Sequence, residues 1–207
     1  RRPDGRVGTR NHVLVGPTVI CSSVVAERVA AATAPIGTAV PHLAGCGQLG
    51  PDMRVTHDTL AAYCGHPNVG AVVVIALGCE QVVAQSLAEA AKRHGKSAEI
   101  VAIQSEGGTV RTTEKAIAIA RRFADALAAQ PREWCDASEL VLSLKCGGSD
   151  YTSGLASNPT LGRVTDRLVA LGGTAVLGEI AEIMGAEHLL ASRATRPATA
   201  TKLIQII

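Results

Sequence analysis

Ala71-Val-Val-Val-Ile-Ala-Leu77-Gly78-Cys79-Glu80 holds an unbroken apolar run that stops at once on a glycine, a thiol and a carboxylate. A Val- and Ile-rich run without alternation predicts a strand covered on both faces, as in a parallel sheet flanked by helices. The residues that follow, Val82 to His94, have amphipathic helical spacing and close on Gly95. Strand, glycine turn and helix in that order make one half of a βαβ unit.

The same alternation extends outward in both directions. Upstream, His12 to Ile20 predicts a strand, Ser22 to Ala32 a helix, Ile36 to Val40 a short strand and Val55 to Tyr63 a helix, which Pro67 keeps from continuing. Downstream, Glu99 to Ile103 predicts a strand ending in Gln104-Ser-Glu-Gly-Gly108, and Thr113 to Ala129 predicts the longest helix. The expected architecture is α/β, a mainly parallel Rossmann-like sheet with helices on its faces, over residues 1–132. Gln130 to Ala137 breaks the pattern with a proline, the only tryptophan and a charge pair. A second α/β unit is expected over 133–207, with strand Glu139 to Leu144, a long polar loop from Lys145 to Pro159, helix Leu161 to Leu171, strand Thr174 to Leu177, a helix over Ile180 to Ala191 and a further one beginning near Thr199. Two strands are too few to close a sheet, so this second unit reads as the beginning of a domain, and the opening Arg1-Arg2-Pro3-Asp4-Gly5 reads as cut from something longer.

Composition narrows the function. Aromatic residues are 2% of the chain and hydrophobic residues 47%, so the core must be built from Val, Ala, Leu and Ile. The formal charge is +2 with scattered cations, which argues against a nucleic-acid footprint. No stretch is long and apolar enough to span a bilayer, and no secretory signal opens the sequence. Six cysteines spread through a sizeable chain read as reduced thiols in a cytoplasmic protein rather than a disulfide framework.

Three of those cysteines lie in glycine-rich loops just after apolar stretches: Gly45-Cys46-Gly47, Gly78-Cys79-Glu80 and Lys145-Cys146-Gly-Gly-Ser149-Asp150. Loops at the carboxyl ends of parallel strands converge on ligand-binding crevices, so Cys46, Cys79 and Cys146 are expected to share one site. His42 and Cys46, four apart, have the spacing to reach one metal ion. The Lys145–Asp150 loop concentrates a cation, a thiol, a hydroxyl and a carboxylate, a mixture suited to proton exchange or carboxylate binding. Ser153 and Asn158 continue this polar segment and suit substrate hydroxyls. Glu179 follows the Thr174–Leu177 strand and is therefore a further strand-end candidate. His57, His66, His94, Cys64 and Cys135 read as structural residues, and Cys21 as an outside candidate.

Arg2-Pro-Asp-Gly-Arg-Val-Gly-Thr-Arg10-Asn11, Gly45-Cys-Gly47, His66-Pro-Asn-Val69, Gly78-Cys-Glu80, Lys145-Cys-Gly-Gly-Ser-Asp150, Ser153-Gly154, Asn158-Pro159 and Gly185-Ala-Glu-His188-Leu-Leu together resemble the altronate/galactarate dehydratase family. The resemblance implies dehydration of a sugar acid to a 2-keto-3-deoxy acid. It also implies a divalent metal, iron first with manganese as the alternative and an iron–sulfur cluster left open, and a small accessory domain or subunit in a homo-oligomeric enzyme. Within it, His42, Cys46, Cys79 and Cys146 are the metal candidates and Lys145, Asp150, Ser149 and Glu80 the catalytic ones. Arg6, Arg10, Asn11, Ser153, Asn158 and Glu179 are the substrate-binding candidates, arginine being able to bind a carboxylate bidentately. A related branch eliminates sulfite from sulfolactate, and a non-catalytic scaffold subunit that kept the fold is the remaining alternative.

Overall fold

The computed structural model describes residues 1–207 as two compact units, Arg1–Trp134 and Cys135–Ile207. No helix in it is long and apolar enough to cross a membrane.

In the first unit, β1 (His12–Pro17), β2 (Gly37–Ala39), β3 (Val69–Ala76) and β4 (Ser97–Ala102) form one sheet in the order β2-β1-β3-β4. Every neighbouring pair is parallel. The crossovers are α1 (Ile20–Ala32), α2 (Gly50–Gly65) and α3 (Ala84–Arg93), and α4 (Thr109–Ala128) follows β4. The Val and Ile run alternates after all, with both faces apolar. Ala71, Val73 and Ile75 pack with Val13, Val15, Val25, Val29, Phe123 and Leu127 on the side covered by α1 and α4. Val72 and Val74 pack with Leu14, Leu60, Leu87 and Ala91 on the side covered by α2 and α3. Successive strand side chains point to opposite faces, so a strand sandwiched between helix layers has no polar face.

Some boundaries differ from the sequence reading. The first helix begins at Ile20, so β1 ends at Pro17 rather than Ile20. The second begins at Gly50, with Pro51 in its first turn, where a proline's fixed φ suits helix entry.

The second unit holds β5 (Val141–Leu144) and β6 (Thr174–Leu177), parallel and in register from Val141 opposite Thr174 to Leu144 opposite Leu177. The segment expected as a long polar loop is helical from residue 151: a π-helical turn, Ser153–Ser157, runs into α5 (Asn158–Ala170). The expected helix over Ile180 to Ala191 is two pieces, a 3-10 turn (Ile180–Ile183) and α6 (Glu187–Ser192), separated at Gly185 with φ of 88°. The last helix, α7, spans Pro197–Ile206. No residue of this unit is fully buried.

Candidate functional site: the strand-end loops

Residues that follow β1 and β3 meet at the carboxyl edge of the first sheet. The Thr18 amide donates to the Ile75 carbonyl (3.0 Å), which carries β1 one step past its end. The buried Thr18 hydroxyl donates to Glu80 Oε1 at 2.8 Å. The same carboxylate accepts the Leu77 amide (3.2 Å) and, through Oε2, the Gly78 amide (2.5 Å). Partial burial pushes this carboxyl up, but the Gly78 amide, its own amide, Thr18 and Leu77 together outweigh burial and hold it below the ordinary carboxylate value. Glu80 is thus a fixed anion that folds the Gly78–Glu80 turn onto β1, and a poor proton acceptor.

The loops bearing Cys46 and Cys79 are stitched to each other. The Gln81 amide donates to the Gly45 carbonyl (3.1 Å). The Gln81 side chain accepts from the Gln48 amide (3.0 Å) and donates to the Gln48 carbonyl (3.3 Å), a two-way clasp. Gly45 is irreplaceable by geometry: its φ is 97°, and a Cβ there would stand 2.8 Å from Val19 Cα. The structure therefore brings the Cys46 and Cys79 loops together, and both thiols are exposed. Thr18, Gln48 and Gln81, which the sequence reading passed over, hold them there. Their only signal was position, immediately beside the glycine turns.

His42 has a different task from the expected metal ligand. Its Nδ1 accepts the Ala44 amide (3.2 Å), so the proton sits on Nε2, which donates to the Pro17 carbonyl (2.9 Å). Both ring nitrogens tie the loop after β2 to the end of β1. No group of three or more His, Cys, Asp or Glu side chains stands where it could hold a metal ion. With both ring nitrogens on backbone, His42 as placed does not fit as a ligand to a divalent ion.

Arg6, Arg10 and Asn11 lie at the opposite, amino edge, because they precede β1. The strands of this sheet are six to eight residues long at the centre, which separates the two edges by roughly 20 Å. There the arginines cap a helix. At the end of α2 and just past it, the carbonyls that no helical amide reaches each receive a cationic donor. Lys96 Nζ reaches the Cys64 (3.0 Å) and His66 (2.6 Å) carbonyls, Arg6 the Gly65 carbonyl (2.6 Å) and Arg2 the Pro67 carbonyl (2.6 Å). Arg2 also donates to Asn11 Oδ1 (2.7 Å) and to the Arg10 carbonyl (2.8 Å), and Asn11 donates to Leu127 and Gln130 at the end of α4. Asn68 Oδ1 accepts the Thr9 and Arg10 amides. Asp4, paired with Arg6 and His94, is pushed down to about 2, chiefly by the Arg6 hydrogen bond. The Arg-rich opening motif and His66-Pro-Asn are one strap, and its arginines are spent on the protein itself.

In the second unit, the expected residues gather at the carboxyl ends of β5 and β6. Lys145 Nζ donates to the Cys146 carbonyl (2.7 Å) and pairs with Glu179 Oε2 (3.1 Å), which follows the neighbouring strand. Cys146 Sγ is 3.6 Å from Ser149 Oγ. Asp150 Oδ1 accepts from the Thr152 hydroxyl (2.5 Å) and amide (2.8 Å) and from the Ser153 amide (3.1 Å), while the Ser153 hydroxyl accepts the Asp150 amide (3.1 Å). This reciprocal pattern is a capping box. It explains why the polar loop turns helical at residue 151, and the bonds from Thr152 and Ser153 hold the Asp150 carboxyl below its ordinary value. Asn158 is exposed at the first position of α5.

Comparison with known proteins gives these loops a context. The family model described as D-galactarate dehydratase/altronate hydrolase, second domain, matches residues 1–128, and that of the D-galactarate/altronate dehydratase C-terminal domain matches 137–207. Altronate dehydratase of Bacillus subtilis is 35% identical over the whole chain, which covers 43% of that protein. The beta subunit of (2R)-sulfolactate sulfo-lyase of Chromohalobacter salexigens is 42% identical over 93% of the chain and 49% of its own length. Galactarate dehydratase (L-threo-forming) of Escherichia coli is 37% identical over 68% of the chain and 28% of its own length. The chain spans less than half the length of these relatives. The two matched domains, in order and end to end, show that this chain belongs to the D-galactarate/altronate dehydratase family.

Proposed function

We propose that the chain is part of a hydro-lyase that removes water from a sugar acid to leave a 2-keto-3-deoxy acid, with Lys145 carrying the proton. The observation that carries this reading is the placing of Lys145. It stands at a strand end, exposed, with its nitrogen bonded to the Cys146 carbonyl and paired with Glu179, which leaves one position, the lone pair of the amine form, for an incoming proton. In its amine form Lys145 takes the proton from the carbon beside the substrate carboxylate. The released electron pair forms the enediolate and then expels the β-hydroxyl, which leaves as water on taking the proton that Lys145 picked up. The enol that remains becomes the keto acid. The ammonium formed on Lys145 offsets the charge developing on the enediolate. Asp150 and Glu80, both held as anions by several donors, are anchors for their loops in this scheme, not proton acceptors. The dehydratase relatives support the leaving group.

The 42% identity to a sulfo-lyase subunit favours one second reading, in which the same proton abstraction expels sulfite. The subunit in that relative's name also supports a partner chain or domain completing the enzyme.

The test incubates the protein in its full natural length with altronate, galactarate and (2R)-sulfolactate, and measures keto acid and sulfite separately. Keto acid from a sugar acid, lost by roughly 10²-fold or more in Lys145→Gln, supports the proposal. Sulfite release from sulfolactate alone supports the second reading. Unchanged turnover in Lys145→Gln overturns the role given to Lys145.

A further inference from the structure

Glu179 is the one residue other than glycine with a positive φ (64°, with ψ of 68°), while ten glycines occupy the other such positions. A left-handed backbone is the conformation in which glycine is favoured and a glutamate is strained. Nothing local explains the glutamate. It stands before the Ile180–Ile183 turn, yet its side chain makes no capping bond there. The carboxylate instead crosses to the neighbouring strand end and pairs with Lys145 at 3.1 Å. That pair is open to water, with side chains 67% and 36% exposed. An ion pair so exposed contributes little to stability, so it does not offset the strain. Backbone strain that stability does not explain points to function.

The register makes the reach possible. Leu144 and Leu177 are paired neighbours, and the Gly178 amide donates to the Leu144 carbonyl at 2.8 Å. The chain then turns left-handed at Glu179, one residue past Gly178, as Lys145 is one past Leu144. An extended residue at 179 would continue along the strand.

We infer that Glu179 is a positioning residue: its left-handed backbone aims the carboxylate at Lys145 and fixes the remaining position on the lysine nitrogen, the lone pair of the amine form, toward the proton beside the carboxylate of a hydroxy-acid substrate. This rests on the proposed proton-transfer role of Lys145 and replaces the direct substrate contact expected for Glu179 from the sequence.

Three variants of the full-length protein test it: Glu179→Gln keeps the strain and removes the charge, Glu179→Gly removes both, and Glu179→Asp keeps a shorter carboxylate. Turnover is expected to fall roughly 10- to 100-fold in Gln and Gly alike, within the range that general acid–base groups supply, and to recover partly in Asp. The thermal midpoint of Glu179→Gly should exceed that of Glu179→Gln by roughly 2 °C or more, as relief of strain predicts. Labelling of Lys145 by an amine reagent at fixed pH, read by peptide mass spectrometry, should speed up several-fold in Gln and Gly. Wild-type turnover in Glu179→Gly overturns the inference, as does unchanged Lys145 labelling. A wild-type protein that turns over no sugar acid or sulfo acid sinks the lyase reading alone, because labelling and midpoint still decide what Glu179 does.

Discussion

The two edges of the first sheet carry the same kind of sequence and do different things with it. Both are built from glycines and charged residues, and both lie within the stretches that resemble the dehydratases. At the amino edge the cations serve the fold: Lys96, Arg2 and Arg6 cover the carbonyls at and just past the end of α2. At the carboxyl edge the polar groups hold loops together, and the thiols Cys46 and Cys79 are left facing water. A family signature is therefore a mixture of residues kept for the fold and residues kept for chemistry, and the sheet edge sorts them. Parallel strands all end on one side, where ligands bind in such sheets.

The sharpest way to break this contrast is to lift the strap. A Cβ on Gly8 would meet the Pro67 carbonyl carbon at 2.7 Å, backbone against backbone, with no flexible side chain to give way. Gly8→Ala should cost about 3 kcal/mol, as overpacking does, measured by urea unfolding. A loss within error would mean that the strap is loose and the amino edge is not structural.

Lys96→Met is the next largest test. It leaves the carbonyls of Cys64 and His66 without their donor, which should cost about 2 kcal/mol. Its pH dependence identifies the cause. Burial first, then Arg6 and Arg2, pull Lys96 from 10.5 down to about 8. Between those values the unfolded chain binds the extra proton, so the stability attached to Lys96 rises with pH across that window. Cys64, pushed by burial from 9.0 up to about 11, has the opposite sign: its contribution is full below 9 and is lost as pH rises toward 11. From pH 8 to 9 the lysine acts nearly alone, and wild type should gain on Lys96→Met there. A flat difference would mean that Lys96 is not desolvated.

How far the sequence carried follows the same division. The parallel sheet was legible because Ala71–Leu77 is apolar at both strand faces, which only a two-sided core requires. The strand-end loops were legible because each glycine turn interrupts such a run. The amino-edge arginines were misplaced for a reason open to inspection: residues before the first strand of a parallel sheet fall at its amino edge, away from the ligand side. Asp150 reads as chemistry because it shares a glycine-rich loop with Lys145 and Cys146, while its spacing to Ser153 equally makes a capping box. The π-helical turn at Ser153–Ser157 and the left-handed Glu179 left no mark in the sequence, since both arise from how neighbouring segments pack. The assembly of a metal site was the furthest extrapolation, because ligand spacing along a chain does not fix where ring nitrogens point, and His42 points both of its own at backbone.

Substitution at the other edge should separate stability from turnover. Glu80→Gln keeps the shape of a side chain that is partly open to solvent, so the loss should be under about 1 kcal/mol. The Cys79 loop would then be held less firmly and turnover should drop while the fold persists. If Glu80→Gln unfolds the protein as readily as Lys96→Met, the two edges do not differ in kind.

The smallest perturbation changes no residue at all. Cys64 lies at the end of α2 beneath the strap, buried, with its thiol pushed up to about 11. Cys46 and Cys79 are exposed at the other edge. The thiolate is the reactive form, and a two-unit rise lowers its share roughly 100-fold near neutral pH before any steric shielding. Alkylation at pH 8 followed by peptide mass spectrometry should therefore mark Cys46 and Cys79 within the time that leaves Cys64 untouched, and Cys64 should react only when unit one unfolds. Labelling of Cys64 in step with Cys46 would mean that the amino edge opens on its own, and that its charges are available to a ligand after all.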